Sequence, residues 1–145
     1  MPTRTARTAW TGTVLEGSGQ VEMTSSGVGT YDVSFPKRAA DDADGTTSPE
    51  ELIAAAHSSC YAMSLAGLIQ RAGATPHSME ITADVSVGKD PAGGLQLTGI
   101  NLIVRAEVAG VDADGFLELA QKAKTACPVS KALTGVEITL DAALE

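Results

Sequence analysis

The sequence predicts an α+β domain in which antiparallel sheets surround one long buried central helix. Three observations carry that prediction. Met79, Ile81, Ala83, Val85 and Val87 alternate with Glu80, Thr82, Asp84 and Ser86, the pattern of an antiparallel strand buried on one side. Leu52 to Ile69 holds no charged residue, and a helix that is apolar all round is a buried one. The order of the elements is strands, one long helix, strands, short helices and a last strand. A chain of 145 residues suits a single domain, residues 1–145, with a sizeable core.

Three short strands are predicted first. Trp10–Leu15 is followed by the turn Glu16-Gly17-Ser18-Gly19. Gln20–Thr24 comes next, then a turn at Ser25-Ser26-Gly27. Tyr31, Val33 and Phe35 alternate in the third strand. Pro36-Lys37-Arg38 leads into the polar loop from Ala39 to Gly45. Ser48 is a good N-cap, Pro49 fits the first helical position, and Glu51 completes a capping box. Glu50 is left free for another task. The helix runs from Pro49 to about Ala72, and Gly73 stops it. A hairpin loop, Gly88 to Gly94, separates the long strand from its return. On the return strand the apolar phase slips at Thr98-Gly99, which predicts a bulge. Ala113, Phe116, Leu117, Ala120 and Ala123 recur at helical spacing behind an Asp112 N-cap. Cys127-Pro128-Val129-Ser130 starts a short helix, and Val136, Ile138 and Leu140 form the last strand.

Composition narrows the function. Ten basic residues stand against eighteen acidic ones, for a formal charge of −8. An acidic chain with no basic stripe argues against nucleic acid and anionic membranes as partners. Aromatics make up 3%, too few for base-stacking platforms. Two cysteines, at positions 60 and 127, do not make a disulfide scaffold. Met1 to Ala9 lacks the apolar core of a signal peptide. The apolar stretch touches the lower length limit of a membrane span, but His57, Ser58, Ser59 and Ser64 within it argue against that reading. A soluble cytoplasmic protein is expected.

Four polar features could carry chemistry: Cys60, Cys127, Arg38 and Glu50. Cys127 precedes Pro128 and sits at a helix start, where unpaired N–H groups favour a thiolate. Cys60 lies mid-helix and would need a nearby cation to become acidic; without one it is a small hydrophobe. His57, three residues before Cys60, shares its helix face and permits a Cys–His thiol hydrolase. A core histidine bonded locally is the plainer alternative. Arg38 could simply pair with Asp41 or Asp42, and Glu50 gains from the helix dipole in any case. Two cysteines and two histidines match a zinc count, but no pair has finger or ribbon spacing, and no metal is expected.

Taken together, these residues form two motifs. Gly45-Thr46-Thr47-Ser48-Pro49-Glu50-Glu51-Leu52-Ile53-Ala54-Ala55-Ala56-His57-Ser58-Ser59-Cys60 resembles the central-helix signature of the osmotically inducible protein C and organic hydroperoxide resistance (OsmC/Ohr) family. Lys122 to Leu133, around Cys127-Pro128-Val129-Ser130, resembles the family's second-cysteine motif. The opening hairpin, Val111-Asp112-Ala113 and Glu137-Ile138-Thr139-Leu140 also fit. An arginine just before the acidic loop resembles the OsmC branch. The chain departs from the family at Ser48, where asparagine is common, and at Ala39, where an aromatic is common.

The resemblance implies an OsmC-like fold, an intertwined homodimer, and a thiol-dependent peroxidase that reduces organic hydroperoxides and protects against oxidative stress. It implies Cys60 as the peroxidatic thiol and Cys127 as the resolving one. Arg38 would hold the Cys60 thiolate and orient the peroxide, with Glu50 holding Arg38. No cofactor is implied; the expected reductant is a lipoyl-type dithiol or a thioredoxin. The thiol hydrolase, and a non-catalytic stress-induced binding dimer with inert cysteines, are the alternatives. Glu50 and Cys60 are ten residues apart on one helix, about 15 Å along its axis, and their directions differ by roughly 80°. Either Arg38 spans that gap or a second subunit supplies Glu50.

Overall fold

The computed structural model describes residues 1–145. The chain divides into two compact units, Met1–Leu52 and Ile53–Glu145.

The first unit carries an antiparallel meander of β1 (Arg7–Thr11), β2 (Ser18–Glu22) and β3 (Thr30–Val33), in that spatial order. Strands one and two begin earlier than the sequence predicts. Gly12, with φ +92°, turns the chain after Thr11, so Val14 and Leu15 fall in the connection and not in the strand. Ser18 and Gly19, expected in the turn, belong to β2. Gly19 lies opposite Trp10 and Val33, and the carbonyl of Ala9 and the indole of Trp10 leave no room there for a Cβ. Its glycine answers a close approach inside the sheet.

The third strand also ends before Phe35. Ser34 caps a one-turn helix, α1 (Phe35–Arg38), its hydroxyl accepting from the Lys37 N–H at 3.3 Å. Arg38 therefore projects from the last residue of a helical turn. Thr47 then returns to the sheet edge, forming a parallel bridge with Val33 and donating its N–H to the Asp32 carbonyl at 2.9 Å. This bridge fixes the entry into α2 (Pro49–Arg71). One half of the predicted capping box is present, with the Glu51 N–H on Ser48 Oγ at 3.1 Å. The other half is replaced: the Glu51 carboxylate accepts from the Thr47 hydroxyl at 2.5 Å.

The second unit holds most of α2, then β4 (Thr75–Lys89), β5 (Leu95–Ala109), α3 (Ala113–Ala126), α4 (Pro128–Ala132) and β6 (Ile138–Leu144). Gly73, at φ +82°, ends α2 as predicted. β4 and β5 form a long antiparallel hairpin. Ser86 faces Gly99 and Val87 faces Leu97, so Thr98 is the extra residue of the predicted bulge. β6 corrects the expectation of antiparallel sheets, because it pairs with β5 in parallel, from Ile100↔Ile138 to Ala106↔Leu144. The chain between β5 and β6 passes through α3 and α4. Such a crossover returns the chain to the same end of the sheet, which a hairpin cannot do.

The core of this unit joins one face of β5 (Leu102, Val104, Ala106) to Phe116, Ala120 and Ala123 of α3. α2 contributes Tyr61, Leu65 and Ile69, each fully buried. With His57 they form an i, i+4 stripe. The expectation of a helix buried all round is not met within one chain. Ala55, Ala56 and Ser59 are exposed, and Met63 is 75% exposed. The helix is long and apolar enough to cross a membrane. Its stripe is instead packed into the core, where the Tyr61 hydroxyl donates to the Ala120 carbonyl at 2.9 Å.

Leu65 sits at the centre of that stripe. Leu65→Ala is expected to lower the unfolding free energy by about 2–5 kcal/mol, read from urea denaturation followed by far-UV circular dichroism.

Candidate active site

The four residues singled out from the sequence form two pairs, one in each unit. Within Met1–Leu52, the Glu50 carboxylate grips Arg38. The guanidinium Nε donates to both carboxylate oxygens at 3.0 and 3.1 Å, and Nη2 donates to Oε1 at 2.5 Å. Glu50 is 8% exposed and Arg38 is half-buried. This fork is the pair's strong, oriented form. Arg38 makes no ion pair with Asp41 or Asp42; the ion pair in that loop joins Lys37 to Asp44 at 2.8 Å.

The two charges tune each other. Arg38 holds the Glu50 carboxyl below its ordinary pKa, against the opposing effect of burial. The bond to Glu50 raises the Arg38 pKa against the opposing effect of burial, and a guanidinium is charged in any case. Beside it lies a largely apolar cavity of about 290 Å³, bounded by Trp10, Val14, Val21, Phe35 and Leu52, with Arg38 in its wall.

Within Ile53–Glu145 the two thiols come from α2 and from the α3–α4 junction into one core cluster, near enough for each to shift the other's pKa. Both cysteines are free. Cys60 is half-buried against the core and Cys127 is fully buried. Cys127 ends α3 and is also the N-cap of α4, as the Cys-Pro pair predicts. Its sulfur closes no regular cap hydrogen bond, and the N–H groups of that first turn bear on it as nearby dipoles. Burial pushes its pKa up, but the Ser130 N–H, the Cys60 thiol, the Ser130 hydroxyl and the Val129 N–H outweigh burial and leave it below its ordinary value. Cys60 moves the other way. Burial raises its pKa, Cys127 adds to that, and the Val129 N–H and Ser64 hydroxyl do not offset it. Within one chain Cys127 is the more acidic thiol, as helix-end physics predicts.

His57 does not pair with Cys60. It is fully buried, and its Nε2 lies 2.7 Å from Ser130 Oγ. Burial alone lowers its pKa and keeps it neutral. The base that a Cys–His hydrolase requires is thus turned toward α4. Ser130 and Tyr61 are the site residues that sequence reasoning missed. Ser130 carried a signal: it is the third residue after an N-cap, the position whose N–H points back at the cap side chain.

The Arg38–Glu50 pair links stability to pH. A folded carboxyl with a lowered pKa binds fewer protons than the unfolded one, so its contribution grows with pH. It is fully present above the ordinary value of 4.5 and is lost as pH falls through the lowered folded value. The stability difference between wild type and Glu50→Gln is expected to shrink as urea melts are repeated from pH 6 to pH 3.

Comparison with known proteins agrees with these motifs. The family model described as OsmC-like protein matches residues 41–141. The chain is 42% identical over 132 residues to peroxiredoxin OsmC of Escherichia coli strain K12, covering 91% of this chain and 90% of that protein. It is 38% identical over 98 residues to the organic hydroperoxide resistance protein OhrA of Bacillus subtilis strain 168, covering 67% of each. Among solved structures, an organic hydroperoxide resistance protein from Elizabethkingia anophelis superposes with a TM-score of 0.80 at 30% identity, covering 100% of this chain and 98% of that one. The two cysteine motifs, the α+β topology and these likenesses together place the chain in the OsmC-like protein family.

Proposed function

We propose that this protein is a cysteine-based peroxidase that reduces organic hydroperoxides to alcohols and protects against oxidative stress. The observation that carries this reading is the placement of Cys60 and Cys127 in one core cluster of a chain closely similar to a protein named as a peroxiredoxin. The Cys60 thiolate attacks the distal peroxide oxygen, and the proximal oxygen leaves as alkoxide and takes up a proton. Cys60 becomes a sulfenic acid. The Cys127 thiolate then attacks that sulfur, forming a Cys60–Cys127 disulfide and releasing hydroxide, which becomes water. A dithiol reductant restores both thiols by exchange. A lipoyl-type or thioredoxin-like dithiol in the cytoplasm suits that step.

Cys60 is the less acidic thiol in a single chain, so its attack on peroxide requires a cation beside it. The Arg38–Glu50 fork is the available one: rigid, permanently charged and next to an apolar cavity of a size for an alkyl group. We assign the fork to the Cys60 of a second copy of the chain in a homodimer. The exposed apolar face of α2, with Met63 at its centre, supports a partner there. Both units then serve one domain, residues 1–145, in each subunit. The guanidinium would stabilise the thiolate and the developing alkoxide alike. The protein is then soluble, because the apolar stretch of α2 is spent on its own core and on its partner.

Peptide mapping after one equivalent of an alkyl hydroperoxide is expected to recover a single peptide pair joined through Cys60 and Cys127, with the intact mass lowered by two hydrogens. Separate peptides with unmodified thiols would leave only a non-catalytic dimer. Mixed dimers locate the arginine. Glu50→Ala in one subunit and Cys60→Ser in the other leave one complete site when the fork acts across the dimer. Substantial peroxidase activity is therefore expected from the mixture, against near-zero activity from either parent. An inactive mixture would place the fork with its own chain's cysteine.

A further inference from the structure

One buried polar contact is left over by the mechanism: His57 on Ser130. His57 is fully buried and Ser130 is 5% exposed. They join α2 to α4 at 2.7 Å, 73 residues apart in sequence. The other ring nitrogen, Nδ1, is buried with no partner. A buried polar pair with an orphaned atom is costly where an apolar pair would pack as well. Ser130 is also the third residue after the Cys127 N-cap, within the first turn of α4, and its N–H and hydroxyl are among the groups that lower the Cys127 pKa.

A serine hydroxyl has one hydrogen to give. It can go to His57 or to Cys127, and the thiolate is the stronger acceptor because its bond is charge-assisted. When the hydroxyl hydrogen faces the sulfur, Ser130 Oγ must accept from His57, so the ring proton sits on Nε2. Nδ1 is then a bare lone pair, which suits its position better than an orphaned N–H, the rarer buried defect. Burial keeps the ring neutral, so it carries this single proton without charging.

We infer that His57 is a positioning residue for the resolving step: its Nε2–H fixes the Ser130 hydroxyl, which in turn donates to the Cys127 thiolate and readies it to attack the Cys60 sulfenic acid. The step balances without further reagents, since Cys127 supplies the electron pair and hydroxide leaves the Cys60 sulfur. This rests on the peroxidase reading only for the identity of the step; the thiolate effect stands apart from it. The other titratable groups around Cys127 are Cys60 and Tyr61, both on α2. Tyr61 is held neutral by burial, its hydroxyl committed to Ala120. α3 presents Ala120 and Ala123 to the core, and the ammonium of Lys124 on its last turn is bound to the Ile138 carbonyl at 3.2 Å.

The test titrates Cys127 by thiolate absorbance at 240 nm in a Cys60→Ser background. There His57→Phe, which keeps bulk and removes the donor, is expected to raise the Cys127 pKa by about one unit, or tenfold less thiolate well below that pKa. His57→Gln, whose amide N–H₂ can reach Ser130, is expected to restore most of it. In the parent with both cysteines, quenched-flow trapping should show disulfide closure slowed about tenfold relative to Cys60 oxidation in His57→Phe. An unchanged titration in folded His57→Phe, or no recovery in His57→Gln, would overturn the inference. A shifted titration in a protein whose wild type forms no disulfide would leave the effect of His57 and Ser130 on the Cys127 thiolate standing and remove both the peroxidase reading and the resolving role.

Discussion

The rest of the site depends on how α2 is divided. Its stripe of His57, Tyr61, Leu65 and Ile69 is committed to the core of its own unit, and that commitment fixes the rotation of the helix. Rotation then decides everything else on it. Cys60 is left at the edge of the packed stripe, half-buried against the cluster that holds Cys127. Met63 and the small residues Ala55, Ala56 and Ser59 are left outside. A helix with a broader packed face would bury Cys60 as an inert hydrophobe. A narrower one would free it from the α3–α4 junction.

The two thiols differ along an electrostatic line. Cys127 owes its acidity to groups of its own chain: the N–H groups and hydroxyl that gather at the start of α4. Cys60 has no such supply and is pushed the wrong way by burial and by its neighbour. In the proposed homodimer, its activation waits for a guanidinium brought in by assembly. In that proposed dimer, a resolving thiol favoured by its own chain and a peroxidatic thiol helped only by its partner would confine peroxide attack to assembled protein. The Arg38–Glu50 fork suits that purpose, since a carboxylate holding Nε and one Nη leaves the far edge of the guanidinium free to meet sulfur and peroxide oxygen.

Much of the fold and site is legible in the sequence, and the failures have physical reasons. Period-2 alternation marks β4 and β5, and the phase slip marks the bulge at Thr98, because one-side burial leaves its imprint on every second residue. Caps at Asp112 and Cys127 are readable because they depend on a few adjacent residues. The parallel pairing of β6 is not, since strand direction is set by a crossover and not by the strand's own pattern. Gly19 reads as a turn residue because glycine marks both turns and close approaches within sheets. Phe35 fits an alternating strand, yet Ser34 and Pro36 start a helical turn there, and that turn aims Arg38 at Glu50. The His57–Ser130 contact spans 73 residues, and no local pattern announces it.

The central claim is that Cys60, not the intrinsically more acidic Cys127, meets the peroxide. Single-cysteine variants decide it. Cys127→Ser and Cys60→Ser are each treated with one equivalent of an alkyl hydroperoxide in the presence of dimedone, and the adduct is located by mass spectrometry. Rapid sulfenic acid formation at Cys60 in Cys127→Ser is predicted, with little modification of Cys127 in Cys60→Ser. Prompt labelling of Cys127 with an unreactive Cys60 would contradict the claim.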